Sequence, residues 1–353
     1  MAKRRGSTSK TGKEAAAAVA VAGAAAVGGK LAWDKLSGSN DDAARAYRLY
    51  EDEFVPDGMR RIARGQLDNA REELGGASKR NLGEAVHETR KRLKRLRAVL
   101  RLARDAVGDE TYRRENAAFR DLGRRLSAAR DANVLVETLD GLRERFADEL
   151  PSKASDALRA RLEREHRRAL DSLQKDEATV GAVTGELEDA RMRTADWTLE
   201  PEGFEGLEPG LRRIYRRGRR AMRAAAAEPT NENLHEWRKR VKDLWYVAQI
   251  AGAAAPKRMK RLAKHAHQLS DLLGDDHDLT VLRGYIEAHP RSFDDAASRQ
   301  ALLGVLDRRR QSLQQEAFDL GRRVYKAPPK RFARSVERGW RRRARRRPQP
   351  AAA

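Results

Sequence analysis

The stretch VHETRKRLKRLRAVLR at residues 86–101 decides how this chain is read, together with LHEWRKRVKDLWYVAQ at residues 234–249. Laid on a helix at about 100° per residue, Val86, Leu93, Leu96 and Leu100 form one apolar stripe. His87, Arg90, Lys94, Arg97 and Arg101 form a second stripe beside it, with Lys91 at its edge. In the later stretch Leu234, Trp237, Val241 and Leu244 take the apolar side. There His235, Arg238, Lys239 and Lys242 repeat the order His-x-x-Arg-Lys-x-x-Lys. Like charges three and four residues apart destabilise a helix by mutual repulsion. Two such rows, each opened by a histidine, imply an anion lying along them.

Matches extend outward from these stretches. GMRRIAR at 58–64 pairs with GLRRIYR at 210–216 at an offset of 152, and the histidine helices are offset by 148. RDANVL at 130–135 pairs with HDLTVL at 277–282 at an offset of 147. A drift of a few residues is what altered loops between duplicated units produce, and the period is far too long for a solenoid. The expected fold is all-α: two pseudo-symmetric antiparallel helical bundles, duplicated four-helix-type units at 57–176 and 206–324. A connecting segment at 177–205 joins them within one domain spanning 41–327, flanked by disordered basic tails at 1–40 and 328–353.

Within that frame, residues 41–53 read as a short helix ended by Pro56, and 57–74 as an amphipathic one stopped by Gly75 and Gly76. Asn81-x-x-Glu84 resembles a capping box opening the first histidine helix, which runs to about residue 105. Helices follow at 109–129 and 130–150. Pro151 opens a charged helix to about 176, and 177–192 is a weaker helical segment. Pro201, Gly203 and Gly206 mark a linker over 197–209. Pro229, Pro256 and Pro290 separate the later helices, and 292–326 closes the second half. From 328 onward the chain is too basic and too poor in apolar residues to fold alone.

With 36% charged and 5% aromatic residues, the composition favours helices over sheets. The 353 residues carry a formal net charge of +22. Residues 1–40 hold +5 of it and 330–347 hold +9, leaving about +8 on the body. A polyanionic partner follows: nucleic acid, anionic membrane or polyphosphate. Absence of cysteine excludes disulfides and thiolate metal sites. The Ala/Val/Gly run at 15–27 is too short and too weakly apolar to span a bilayer. Lys13 and Glu14 abut it and no leucine-rich core follows, so it reads as a tail rather than an export signal.

The paired His-x-x-Arg-Lys helices, GLRRIYRRGRRAM at 210–222, and Asp131 and Asp278 resemble the CHAD domain, a conserved-histidine α-helical domain, over about residues 57–325. The resemblance implies two similar four-helix bundles around a basic groove, with inorganic polyphosphate as ligand. It implies anion contacts from His87, Arg90, Lys91, Lys94, His235, Arg238, Lys239 and Lys242. Arg97 and Arg101 extend that row, and Arg61, Arg64, Arg213, Arg216 and Arg219 stand as further contributors. The chain departs from the family pattern twice. Ala132 replaces a larger apolar residue, and Asp243 interrupts the second basic run, where it is expected to weaken that half.

The residues themselves point to the same chemistry, since Arg offers paired donors to phosphate oxygens and Lys a mobile point charge. A lone helical histidine is more often a core residue bonded to a neighbour, but equivalent placement inside two basic stripes favours an anion role. Arg92, Arg95 and Arg240 fall off the stripes and read as solvated. Asp131 and Asp278 read as helix caps or as carboxylates that orient nearby arginines. Trp237, Trp245 and Tyr246 read as core rather than as base-stacking groups. His265, His267 and His277 with Asp275, Asp276 and Asp278 lack metal-site spacing, because residues two apart do not share a helix face. No metal or other cofactor is expected.

Catalysis finds no motif: the chain has neither a GxxxxGK loop nor the ExExK strand of the triphosphatase domains that accompany some CHAD domains. The expectation is therefore a non-catalytic, cytoplasmic polyphosphate-binding protein, at polyphosphate granules where these form. The alternative is a nucleic-acid-associated protein gripping the phosphate backbone through its tails. Oligomeric state is not legible.

Overall fold

The computed structural model describes residues 46–78 and 81–344, and every regular element among them is helical. The first half contains α1 (Val55–Gly75), α2 (Leu82–Val107), α3 (Asp109–Arg125), α4 (Ala128–Arg145), α5 (Ser152–Lys175) and α6 (Glu177–Arg193). The second contains α7 (Glu208–Ala227), α8 (Asn231–Ile250), α9 (Pro256–Ala288), α10 (Ala296–Val324) and α11 (Pro329–Ala344). Both halves assemble in the same neighbour order. α1 packs on α2, α2 on α3, α4 on α5 and α6 on α1; likewise α7 packs on α8, α8 on α9, α9 on α10 and α11 on α7. The difference lies in the third element. The chain breaks at Leu126 and Ser127 between α3 and α4, whereas α9 runs unbroken through 33 residues.

The two histidine helices sit at the centre because their apolar residues are not confined to one stripe. From Arg95 onward α2 buries Leu96, Ala98, Val99, Leu100, Leu102 and Ala103, nearly its whole circumference. α8 likewise buries Trp237, Val241, Leu244, Val247 and Ile250. One large core joins α1, α2, α6, α7, α8 and α11 across the two halves. A smaller one, with Leu139, Leu142, Leu158, Leu282, Ile286 and Leu306, joins α4, α5, α9 and α10 at the other end. The halves come close where α7 crosses α2. A methyl at Gly210 would lie 1.9 Å from the Leu102 carbonyl oxygen, so only glycine permits that crossing. Gly108, at φ 81°, supplies the left-handed residue that turns α2 directly into α3.

Several local expectations are corrected. Residues 47–54 are not helical: Leu49 donates its amide to the Ile250 carbonyl and Tyr47 its hydroxyl to that of Arg95, pinning the segment against the body. Residues 41–45 of that expected helix lie outside the described residues. Pro56 does not end a helix but sits in the first turn of α1, where its missing amide costs nothing. Asn81 makes no capping box, because its side-chain oxygen accepts from the Ser78 amide and hydroxyl instead. The 197–209 linker is no loose connector. Trp197, Leu199, Phe204 and Leu207 are all buried, and Glu200 donates its amide to the Ala106 carbonyl.

The largest correction falls on the expected C-terminal tail. Residues 329–344 form α11, which lies on α7 with Phe332, Ala333, Val336 and Trp340 buried. Phe332 stacks on Tyr215 at 4.1 Å and Trp340 on Phe204 at 5.3 Å. Few apolar residues suffice here because all of them share one face that meets an existing core. Residues 1–40 and 345–353 lie outside the described residues. Trp340→Ala is expected to cost about 3–5 kcal/mol, the usual penalty for removing a buried tryptophan. Urea denaturation checks this, and an unchanged unfolding midpoint would show that α11 contributes nothing to the fold. None of the described helices is long and apolar enough to cross a membrane.

Candidate anion-binding cavity

α2 and α8 face one another across a cavity of about 480 Å³. From α2 it receives Arg90, Lys94, Arg97 and Arg101, one residue per helical turn. From α8 come His235, Arg238, Lys239, Arg240 and Lys242. α3 adds Arg120 and Arg124 beside Phe119, and the start of α4 adds Ser127 and Asp131. Both stripes read from the sequence thus face one hollow. His87 and Lys91 do not line it; they lie beside Glu88, with Lys91 donating to it at 2.7 Å.

The further arginines are mostly elsewhere. Arg61 clasps the 46–54 segment: it pairs with Glu53, donates to the Ala46 and Arg48 carbonyls, and stacks on Tyr50. Arg64 and Arg216 are exposed on α1 and α7, and Arg219 is half-buried on α7. Arg213 pairs with Asp105 at 2.7 Å and borders a small hollow of about 10 Å³ next to the main cavity. None of these five lines the main cavity.

The residues missed in the sequence are Arg120, Arg124 and Arg240. Arg120, Gly123 and Arg124 form a row next to the buried Phe119 and Leu122, so helical spacing alone marks them as a second basic face. Arg240 is not solvated; it pairs with Glu236 and with Asp243 at 2.9 Å. Arg95 is buried too, under Tyr47 and against Gln66. Asp243 ties the halves together, bonding Arg101 of α2 at 3.0 Å and Arg240 of its own helix. Trp237 and Tyr246 are buried.

Arg90 and Arg238 hold matching positions in their stripes but opposite states. Arg90 spends its donors on the Leu126 and Ser127 carbonyls, 3.2 and 2.9 Å away, and lies 3.5 Å from Asp131. Those carbonyls exist as acceptors because the chain breaks there. Opposite Arg238 the chain is the unbroken α9, whose carbonyls are engaged within the helix. Arg238 is 4% exposed, and its Nε and Nη2 have no acceptor in the protein. His235 Nδ1 is likewise buried without a partner. Unsatisfied buried donors are costly, and charged ones more so.

The charges strain one another. Burial, then Lys239 and Arg238, push His235 down to about 4, so its ring is neutral beside that of His277, 4.5 Å away. Burial and the neighbouring Arg238 and Lys94 hold Lys242 well below the usual lysine range. Arg97 is lowered to about 10 by burial and Arg101. Beneath Arg238, burial together with Asp278 and Asp271 raises Asp275 to about 7. Every one of these shifts disfavours charge that an anion in the cavity would stabilise. Among the described residues no three His, Cys, Asp or Glu side chains are grouped to hold a metal ion. His267 pairs with Asp271 at 2.6 Å, and Asp276 accepts from Arg310 and Gln314.

An all-α molecule with a buried, donor-rich basic hollow between two central helices is an anion-binding helical bundle. The model of the CHAD domain matches residues 61–287, and the chain belongs to that family. No curated protein matches it.

Proposed function

We propose that this protein binds inorganic polyphosphate in the cavity between α2 and α8, without turning it over. Arg238 carries this reading: a buried guanidinium whose unused donors face a hollow walled by other cations. Phosphate oxygens supply acceptors and negative charge together, and counterions released from the chain add to the affinity. Membership of the CHAD family supports the same ligand. The same reading puts the protein in the cytoplasm, at polyphosphate granules. Mobility shifts with polyphosphate, DNA and RNA run side by side test it, and failure to retard polyphosphate sinks it.

One observation favours a second ligand. Arg331, Arg334 and Arg338 form an exposed row along α11, a face suited to a nucleic-acid backbone. In that case DNA or RNA is retarded through α11, independently of the cavity.

Two results follow from the first reading. No group of carboxylates in the cavity is placed to hold a divalent ion for phosphoryl transfer. Incubation with polyphosphate or a nucleoside triphosphate plus Mg²⁺ or Mn²⁺ is therefore expected to release no phosphate above background. Metal-dependent release lost on mutating the stripes would make the protein an enzyme.

The second result concerns pH. A bound polyanion raises His235 from about 4, so binding takes up a proton. The groups facing that ring, Lys239, Arg238 and Lys242, lose part of their mutual repulsion at the same time. Affinity is expected to rise as pH falls from about 6.5, the ordinary histidine value, toward 4. Protonation of Asp275 near 7 works in the same direction by removing negative charge beside Arg238. Without ligand the sign is opposite. The unfolded chain takes a proton at His235 sooner than the folded one, so stability falls across that window. Calorimetric titration against pH checks the first, and a flat affinity profile would contradict it.

A further inference from the structure

We infer that the cavity takes a polyphosphate chain by its end, with the terminal phosphate deepest, rather than gripping the chain along its side or passing it through. This rests on the polyphosphate reading above and names which part of the molecule is recognised.

The lining grades from open to closed. Arg120, Arg124 and Lys239 have side chains 43%, 70% and 47% exposed and mark the mouth. Arg238 is buried, and Arg101 and Asp243 are only 17% and 11% exposed. Beyond them the passage is stopped. Arg101, Asp243 and Arg240 line both the main cavity and the small hollow bordered by Arg213. Bonded to one another at 3.0 and 2.9 Å, they stand between the two spaces. The hollow behind them, about 10 Å³, has room for roughly one water. A phosphate chain cannot continue into it, and the Asp243 carboxylate faces any anion that reaches that wall.

Charge points the same way. A terminal phosphate, like a phosphomonoester, ionises a second time near pH 6 and approaches two negative charges, against about one for each internal phosphate. The deepest cations are the least compensated: Arg238 has two unused donors, and burial with its cationic neighbours opposes the charge on Lys242. The most highly charged group of the ligand gains most there, where solvent screening is least. Progressive burial from mouth to wall therefore selects a chain end over a chain middle.

The test uses the full-length protein and linear polyphosphates of a short and a much longer mean length at equal phosphate concentration. Protein bound per chain is read by light scattering and by calorimetric stoichiometry. End recognition predicts no more than one protein per chain end, whatever the chain length. Capping both ends as phosphoramidates should weaken binding about tenfold or more, and cyclic metaphosphate, which has no end, should bind as weakly as the capped chain. Bound protein rising in proportion to length, or capped and cyclic forms binding as well as open chains, overturns the proposal while leaving polyphosphate binding intact. Absence of binding to any of these ligands overturns the polyphosphate reading and this one with it. Arg238→Gln, measured in parallel, isolates the cavity: residual length-proportional binding in that variant belongs to the outer face of α11. If Arg238→Gln leaves the stoichiometry and the capped-to-open ratio of the full-length protein unchanged, the cavity is not where ends are read and the proposal fails.

Discussion

Replacing His87, Arg90, Lys94, His235, Arg238 and Lys242 together by alanine is expected to remove most of the affinity for polyphosphate. Trimming residues 1–45 and 345–353 should cost much less. Four of the six side chains line the α2 and α8 walls as cations, His235 lines the same hollow, and His87 lies beside it. The slope of log affinity against log salt should fall by several units, at roughly 0.7–0.9 for each phosphate that the variant no longer neutralises. Fewer phosphates will be freed than residues replaced, since adjacent side chains can share one phosphate. The C-terminal cut has to stop at 345, because removal from 330 would strip Phe332, Val336 and Trp340 from the core and unfold rather than discharge the protein. Within the six, Arg238 should account for the largest single loss, because its donors have no other acceptor. Arg90→Ala acts partly on the fold instead, by stranding the Leu126 and Ser127 carbonyls. The cavity reading would be falsified by normal binding in the six-residue variant, folded by circular dichroism, alongside loss of binding in the trimmed one.

A second large effect is expected at Asp243. Asp243→Ala leaves the guanidinium groups of Arg101 and Arg240 facing one another, each only 17% exposed, without the carboxylate between them. Removing one partner from a buried ion pair costs about 3–5 kcal/mol. The loss should be partly recovered on adding polyphosphate, and the rise in unfolding temperature on ligand addition should exceed that of the wild type. Thermal unfolding with and without ligand measures both. Unaltered stability in the variant would mean that Asp243 does not hold the halves together. An aspartate that interrupts a basic run on paper thus bridges the two histidine helices in space.

The stripes were legible because each needs only one helix: spacing alone places Arg90, Lys94, Arg97 and Arg101 together, and the second row repeats it. Family and fold class followed from the same residues. What periodicity could not reach was anything set between helices. Arg61 has the spacing of an anion ligand, yet its acceptors come from a segment folded back beside it. Arg240 lies off the stripe on its own helix and meets Asp243 one turn away, at the wall shared with α2. The α11 helix was misread as a tail because average composition conceals that Phe332, Val336 and Trp340 recur every fourth residue. That spacing was readable in the sequence. The different fates of Arg90 and Arg238 were not, since they depend on where a neighbouring helix breaks.

That break also divides the cavity mechanically. α9 forms a single beam of 33 residues along the second half, whereas the first half meets the same hollow through two shorter rods, α3 and α4, jointed at Leu126 and Ser127. Arg90 is the pin in that joint. A beam resists bending along its whole hydrogen-bonded length, but a joint yields by rotation about a few residues. A bulky guest is therefore to be accommodated by the first half alone, as a jaw swinging against a fixed anvil.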